Sequence, residues 1–178
     1  MNIRLATLDD HQAITRVHVD SWHHAFSQFA PALVAVRGDL YPRRLECWQK
    51  NLQDDALFTY VALEDNAIIG FGQGGSVSPA LELPHYDGEL IRLYVAPAHL
   101  GKGIGKALIH QVARTLQAQG KRSMVVVSWT INQPARNFYE HLGAEFVQEN
   151  KREWRSFDKS QTVYVWQDIQ TIIEATQS

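Results

Sequence analysis

The sequence holds one cysteine, Cys47, among 178 residues. A lone thiol excludes an internal disulfide and any cysteine-built metal cluster. It falls in a polar helical pattern with no matched catalytic partner, so a structural role is expected for it. No apolar run approaches the ~18 residues needed to span a bilayer. The opening MNIRLATLDD has no apolar core of a secretory signal. These absences make a cytoplasmic, reducing location the expectation. Charge of one sign is also lacking: 17 basic against 19 acidic residues give a net charge of −2. There is no basic stripe, which argues against nucleic acid or an anionic membrane as partner. His18, His23 and His24 cluster without metal-ligand spacing or an acidic partner, so no metal is expected. No repeat, low-complexity tract or linker interrupts the chain. With 45% hydrophobic and 20% charged residues it reads as globular. Its length fits one domain over 1–178 with room for a substantial core.

What the chain does have is Leu93 to Leu108, LYVAPAHLGKGIGKAL. Leu93, Tyr94 and Val95 suit a half-buried strand. Pro97 ends it, because proline cannot donate to a ladder. Gly101, Gly103 and Gly105 alternate with Lys102 and Ile104. A helix follows, with Ile104, Ala107, Leu108, Val112 and Leu116 on one face. The first N–H groups of such a helix have no partner within it, and its dipole favours an anion. Glycine lets the backbone approach a phosphate closely. Lys102 and Lys106 add positive charge.

The dinucleotide fingerprint fails here, because Lys106 stands where its third glycine belongs. A phosphate loop of the Walker type fails as well, with Leu100 and Ala107 at its glycine and hydroxyl positions. What remains is x-x-G-x-G-x after a V-x-P strand end. An ordinary glycine-rich turn before a helix is the plain alternative. The spacing resembles the acyl-CoA pyrophosphate loop of the GNAT superfamily of N-acyltransferases.

Elsewhere, Ile3 to Thr7 alternates as a first strand, and Thr7 or Asp9 can cap a helix. The helix carries Ile14, Val17, Trp22 and Ala25. The segment Phe26 to Val36, with Pro31, reads as loop or broken helix. A second helix covers about Pro42 to Leu52. Phe58 to Leu63 is a strand, Glu64-Asp65-Asn66 a turn, and Ala67 to Phe71 the next strand, weakened later by Gly70, Gly72, Gly74 and Gly75. Gly88 to Val95 is the central strand. Ser123 to Trp129, Ala144 to Val147 (extending toward Trp154) and Gln161 to Trp166 are further strands. Asn132 to His141 is a short helix closed by Gly143, and the tail from Asp168 is a short or frayed helix. Such an order argues a mixed α/β layer with helices on both faces.

The stretch N132-Q-P-A-R-N-F-Y-E-H-L-G143 resembles a second GNAT motif, through Asn132, Ala135, Phe138, Tyr139 and Gly143. I-R-L-A-T-L-D-D and S21-W22 are similar to the start of that family. The resemblance covers about residues 2 to 166 and implies a central mixed, mostly antiparallel sheet of about six to seven strands. It departs at Leu100, where the family usually has Arg or Gln. It implies transfer of an acetyl group from acetyl-CoA to a primary amine of a small molecule or protein, by direct transfer in a ternary complex. Leu93, Tyr94 and Val95 would pair with the pantetheine amides like an added strand. Leu100, Gly101, Lys102, Gly103, Ile104, Gly105 and Lys106 would hold the pyrophosphate. Asn132 would bond the pantetheine arm or cap its helix. Glu89 is the expected base, with a strand-edge charge near Arg92 as alternative. Tyr139 matches the family's general acid, with packing beside Phe138 as alternative. The Val95 N–H would polarise the thioester carbonyl. Trp22, Tyr41, His85 and Tyr86 are candidates to line the acceptor site, with core packing open for Trp22. Glu82, His85, Asp87 and Glu89 give that loop an acidic lean. Homodimers are common in the family. A non-catalytic acyl-CoA sensor would need the same loop but not Tyr139 or Glu89.

Overall fold

The alternating start of the chain forms β1 (Asn2–Leu5), and after it a short turn leads into a long helix. The structure, a computed structural model, describes residues 1–37, 39–151, 153–154, 157–158 and 160–177. Asp10 fixes that entry. Its carboxylate accepts from both guanidinium nitrogens of Arg4, at 2.7 and 2.9 Å, and from the Thr7 N–H at 2.7 Å. The helix α1 (His11–Phe29) stops at Ala30, and Pro31 opens α2 (Pro31–Arg37). Proline at a first helical position gives up an N–H that would have had no partner. The broken helix expected over 26–36 is therefore two helices meeting at one residue. A third helix, α3 (Tyr41–Asn51), packs on α1.

β2 (Leu57–Glu64) and β3 (Ala67–Ser76) form a hairpin through Asp65 and Asn66, at φ 50 and 63. Both residue types tolerate that left-handed turn. The expectation that glycines weaken the second half of β3 is corrected, since the strand runs through to Ser76. The reason is the helix lying over it, α4 (Ile104–Ala118). A Cβ at Gly70 would come 3.2 Å from Ile104 and Leu108, and one at Gly74 would come 2.8 Å from Val112. Bare backbone on this face lets α4 settle onto the sheet, and the ladder to β2 holds the strand.

The rest follows as β4 (Gly88–Val95), β5 (Met124–Trp129), α5 (Gln133–His141), β6 (Glu145–Asn150), the small hairpin β7 (Glu153–Trp154) and β8 (Phe157–Asp158), β9 (Gln161–Trp166) and α6 (Ile169–Thr176). The main sheet has seven strands in the order β1-β2-β3-β4-β5-β9-β6. Every neighbouring pair is antiparallel except β4 with β5. This is the mixed, mostly antiparallel sheet that was expected. On one face α4, α5 and α6 bury Leu90, Ile109, Val112, Leu116, Tyr139 and Trp166. On the other, α1 and α3 bury Ile14, Val17, Trp48, Val61 and Phe71. No helix among the described residues is long and apolar enough to cross a membrane.

Two irregularities shape the centre. The parallel pairing of β4 and β5 runs from Gly88↔Met124 to Leu90↔Val126 and stops there. On its other side β4 carries a bulge: Gln73 opposes Arg92 and Gly74 opposes Leu90, so Ile91 is an extra residue. A bulge bends its strand and increases the local twist. β4 leaves β5 just where this bend begins.

Gly88 sits at the start of the short parallel contact. A Cβ there would lie 2.7 Å from the Ser123 carbonyl oxygen. We expect Gly88→Ala to push β5 off β4 and to cost about 1–3 kcal/mol. Urea denaturation would measure it, and a loss confined to a few tenths of a kcal/mol would show that the strands separate without strain.

Candidate active site

Backbone polarity along the diverging part of β4 follows from one hydrogen bond. The Ala96 N–H donates to the Ile69 carbonyl at 2.8 Å, flanking the Val95↔Gly70 pair. In an antiparallel ladder this makes Val95 and Gly70 a non-hydrogen-bonded pair. The N–H and C=O of Val95, and by alternation those of Leu93, therefore point away from β3 into the gap beside β5. The same groups of Tyr94 are turned to β3. This corrects the expectation that all of Leu93, Tyr94 and Val95 offer backbone to the gap. The Val95 carbonyl is already engaged, accepting from Ser21 Oγ of α1 at 2.9 Å.

The loop before α4 stands at the end of this gap. Gly101 and Gly103 have φ of +75 and +78, and a Cβ at either would meet nothing within 4 Å. Left-handed backbone is why glycine stands there, and the open surroundings leave a surface that a phosphate can approach. Gly103 is the N-cap of α4 and accepts from Ala107 N–H at 3.0 Å. Ile104, Gly105 and Lys106 thus supply the first helical N–H groups, which have no acceptor within the helix. The Ile104 side chain is buried with Leu108, so Ile104 offers its backbone. Leu100 is 54% exposed and gives no polar group, while Lys102 is exposed as well. Gly105 lies under Phe138 of α5, whose ring a Cβ there would meet at 3.5 Å.

Asn132 caps α5. Its Oδ1 accepts from Ala135 N–H at 3.2 Å. Its Nδ2 makes no hydrogen bond among the described residues. Tyr139 is 7% exposed and packs edge-on to Trp166, with ring centroids 6.2 Å apart. Its hydroxyl likewise forms no hydrogen bond among the described residues. Burial first, and then the neighbouring Tyr94, push its phenol well above the ordinary value. Tyr139 belongs to the α4 side of the sheet and Tyr94 to the α1 side, where it lies 4.4 Å from the His18 ring and 5.4 Å from Phe71. The Tyr94 phenol, from the other face, is near enough for its field to act on that of Tyr139.

Glu89 is 8% exposed, one residue before the pairing with β5 ends. Its Oε2 accepts from Ser78 N–H at 2.8 Å. Burial raises its pKa, opposed by that bond and by the field of Arg92.

The acceptor candidates divide. Trp22 is 2% exposed and stacks on Phe26 at 4.6 Å, so it is packed in the core with Leu33 and Leu40. Tyr41 lies against the same cluster. Tyr86 packs over Val125 and Val163 at the far half of that face, and His85 is exposed beside it. The acidic lean is largely consumed by the fold: Asp87 accepts from the N–H groups of Arg122 and Ser123 and from Ser123 Oγ. Sequence reasoning missed Ser21 as the tether of Val95. It also missed His18, whose Nδ1 accepts from Trp48 Nε1 at 3.1 Å. A partner 30 or more residues away leaves no local pattern in a sequence.

The profile of the acetyltransferase (GNAT) family matches residues 18–144. The chain belongs to that family. It is an acetyl-CoA-dependent N-acetyltransferase by that membership. The uncharacterized N-acetyltransferase YuaI of Bacillus subtilis is 28% identical over 97% of the chain and 96% of its own length. Among solved structures, the PaiA N-acetyltransferase of Thermoplasma acidophilum, in complex with coenzyme A, has a TM-score of 0.69 at 18% identity. That alignment covers 93% of this chain and 98% of the other. An N-acetyltransferase of Staphylococcus aureus Mu50 has a TM-score of 0.72 at 18% identity, over 94% and 98%. At these identities the likeness is one of fold.

Within this GNAT chain, His18 is 2% exposed, and burial, Arg44 and Arg92 lower its pKa to about 3. It is neutral when folded but binds a proton near pH 6.5 when unfolded. The unfolded chain then binds more protons between about pH 3 and 6.5, so this contribution is complete above 6.5 and lost as pH falls. Glu89 acts with the opposite sign below neutrality, so the comparison must be with a variant. We expect wild type to lose about 2 kcal/mol more than His18→Gln between pH 7 and pH 5 in urea denaturation. Parallel curves would show that His18 charges freely.

Proposed function

We propose that this GNAT enzyme acetylates a primary amine of a small molecule or protein by direct transfer within a ternary complex. The observation that carries this is the gap between β4 and β5, with Leu93 and Val95 backbone on its edge and α4 at its end. The gap fits a narrow extended chain of amides adding to a strand edge. The loop fits a pyrophosphate, through N–H groups at the α4 N-terminus with Gly101, Lys102, Gly103, Gly105 and Lys106 around them. Leu100 supplies no side-chain bond. Asn132 Nδ2 is a further donor for the bound pantetheine arm. Bound acetyl-CoA supplies the activated thioester.

Val95 N–H donates to the acyl oxygen, where negative charge develops. Glu89 takes the proton that the attacking amine must lose, directly or through water. Burial raises the proton affinity of that carboxylate and so makes it a better base. Tyr139 acts mainly as a hydrogen-bond donor to the leaving sulfur. A thiol has a pKa of about 8.5, and a phenol raised above 10 is the weaker acid. It stays protonated and stabilises the thiolate without giving up its proton fully. Much of the rate then comes from positioning. The half-buried Cys47, bonded by Asn51 Nδ2 at 3.5 Å, suits a reducing cytoplasm.

Free-thiol release from acetyl-CoA against a panel of amines tests the activity. Tyr139→Phe is expected to lower kcat about 10- to 100-fold with the Kd for coenzyme A within about threefold. An unchanged kcat would remove Tyr139 from the reaction. For Glu89, wild-type kcat/KM should fall on the acid side as its raised pKa is crossed. In Glu89→Gln that limb should vanish along with most of the rate; a limb that persists belongs to another group.

A further inference from the structure

The bulge at Ile91 shifts the alternation of β4, so that Glu89, Arg92 and Tyr94 share the α1 face while Leu90, Leu93 and Val95 pack toward α4. Arg92 is thereby carried inside. Its Nη1 donates to Gln73 Oε1, and its guanidinium lies 5.5 Å from the centre of the Trp48 ring. Arg44 of α3 is half-buried one helical turn before Trp48, on the same side of the helix, and the fields of both arginines act on His18 and on Tyr94. Among the described residues neither guanidinium lies within 4.0 Å of a carboxylate. Glu89 reaches Arg92 through its field, but its Oε2 is held by Ser78. The other neighbours add donors: Trp48 Nε1 donates to His18 Nδ1, which puts the His18 proton on Nε2.

A half-buried guanidinium with no carboxylate in contact is costly, and two of them repel. A bound anion would relieve both costs through charge-assisted bonds in a site already low in water. Arg92 stands two residues before Tyr94 on the same face of β4, so it lies next to the strand edge proposed to hold the thioester, beside the position where an amine must attack. Asp87, the loop carboxylate suited to recruit a simple cation, is committed to Arg122 and Ser123. We propose that the acceptor is a small amine that also carries an acidic group, a carboxylate or phosphate, bound by Arg92 together with Arg44. This rests on the acetyl-transfer reading and names the substrate class for it.

The test compares amino acids with the amines left by their decarboxylation, and 2-aminoethyl phosphate with ethanolamine. Each member of a pair offers a primary amine, and one lacks the acid. Thiol release from acetyl-CoA gives kcat/KM for wild type, Arg92→Gln, Arg92→Lys and Arg44→Gln, with thermal melting to confirm folding. We expect at least one acidic member to be preferred by wild type about tenfold or more, chiefly through KM. The ratio within that pair should fall toward one in Arg92→Gln and Arg44→Gln, and Arg92→Lys should retain part of it. Equal use of acidic and plain amines overturns the inference, as does a preference that both glutamine variants retain. A preference for succinyl-CoA over acetyl-CoA that Arg92→Gln abolishes would assign the pair to the acyl group and overturn it as well. If no amine releases thiol, the acetyl-transfer reading fails, and calorimetry with the same pairs decides this one. Acidic amines that bind and lose about tenfold in Arg92→Gln sustain the anion site; absence of binding overturns it.

Discussion

The separation of β4 from β5 after Leu90 is the constraint on which the rest of this structure depends. A parallel pair that continued to Val95 would bury every backbone group in the ladder and leave a closed sheet. The bend at Ile91 instead turns the end of β4 away, and α4 then starts from a glycine loop at the mouth of the opening. The helix can lie close to the sheet because β3 presents glycine after glycine beneath it. Strand, loop and helix are thus one mechanical unit, and a change at Gly88 or Gly74 acts on the opening as well as on the core.

Much of this was legible. Gly88–Val95 has its predicted bounds, because glycine and proline punctuate it, and α4 and α5 follow from their apolar faces and caps. The two motifs were readable because each is local: Gly101 and Gly103 need positive φ, and Asn132 needs a helix to cap. The second half of β3 was misread, since glycine counts against a strand in isolation and the compensation comes from a helix some thirty residues later. Which amides of β4 face the gap was beyond the sequence, because polarity is set by register with β3. The bulge has no signature in GELIRLYV, yet it decides that Arg92 and Tyr94 point the same way as Glu89.

The site divides its tasks by the two faces of the sheet. The α4 side supplies neutral, apolar surroundings and Tyr139. The α1 side supplies the charged and polar groups: Glu89, Arg92, Arg44, His18 and the Tyr94 phenol. The family membership shows the reaction class, while the proposed choice of amine rests on the charge of the α1 side. Trp22, for which the sequence left both an acceptor wall and core packing open, holds α1 and α2 together through Phe26 and Leu33.

An unpaired edge in the middle of a sheet is an aggregation hazard, since any extended chain can complete it. The Ser21 bond to Val95 limits that hazard. With the last carbonyl of β4 taken by a hydroxyl from α1, the edge ends on a donor, and an incoming peptide strand would find its own N–H without an acceptor there. The protein can therefore keep an edge open for a slender ligand while remaining a poor template for another copy of itself.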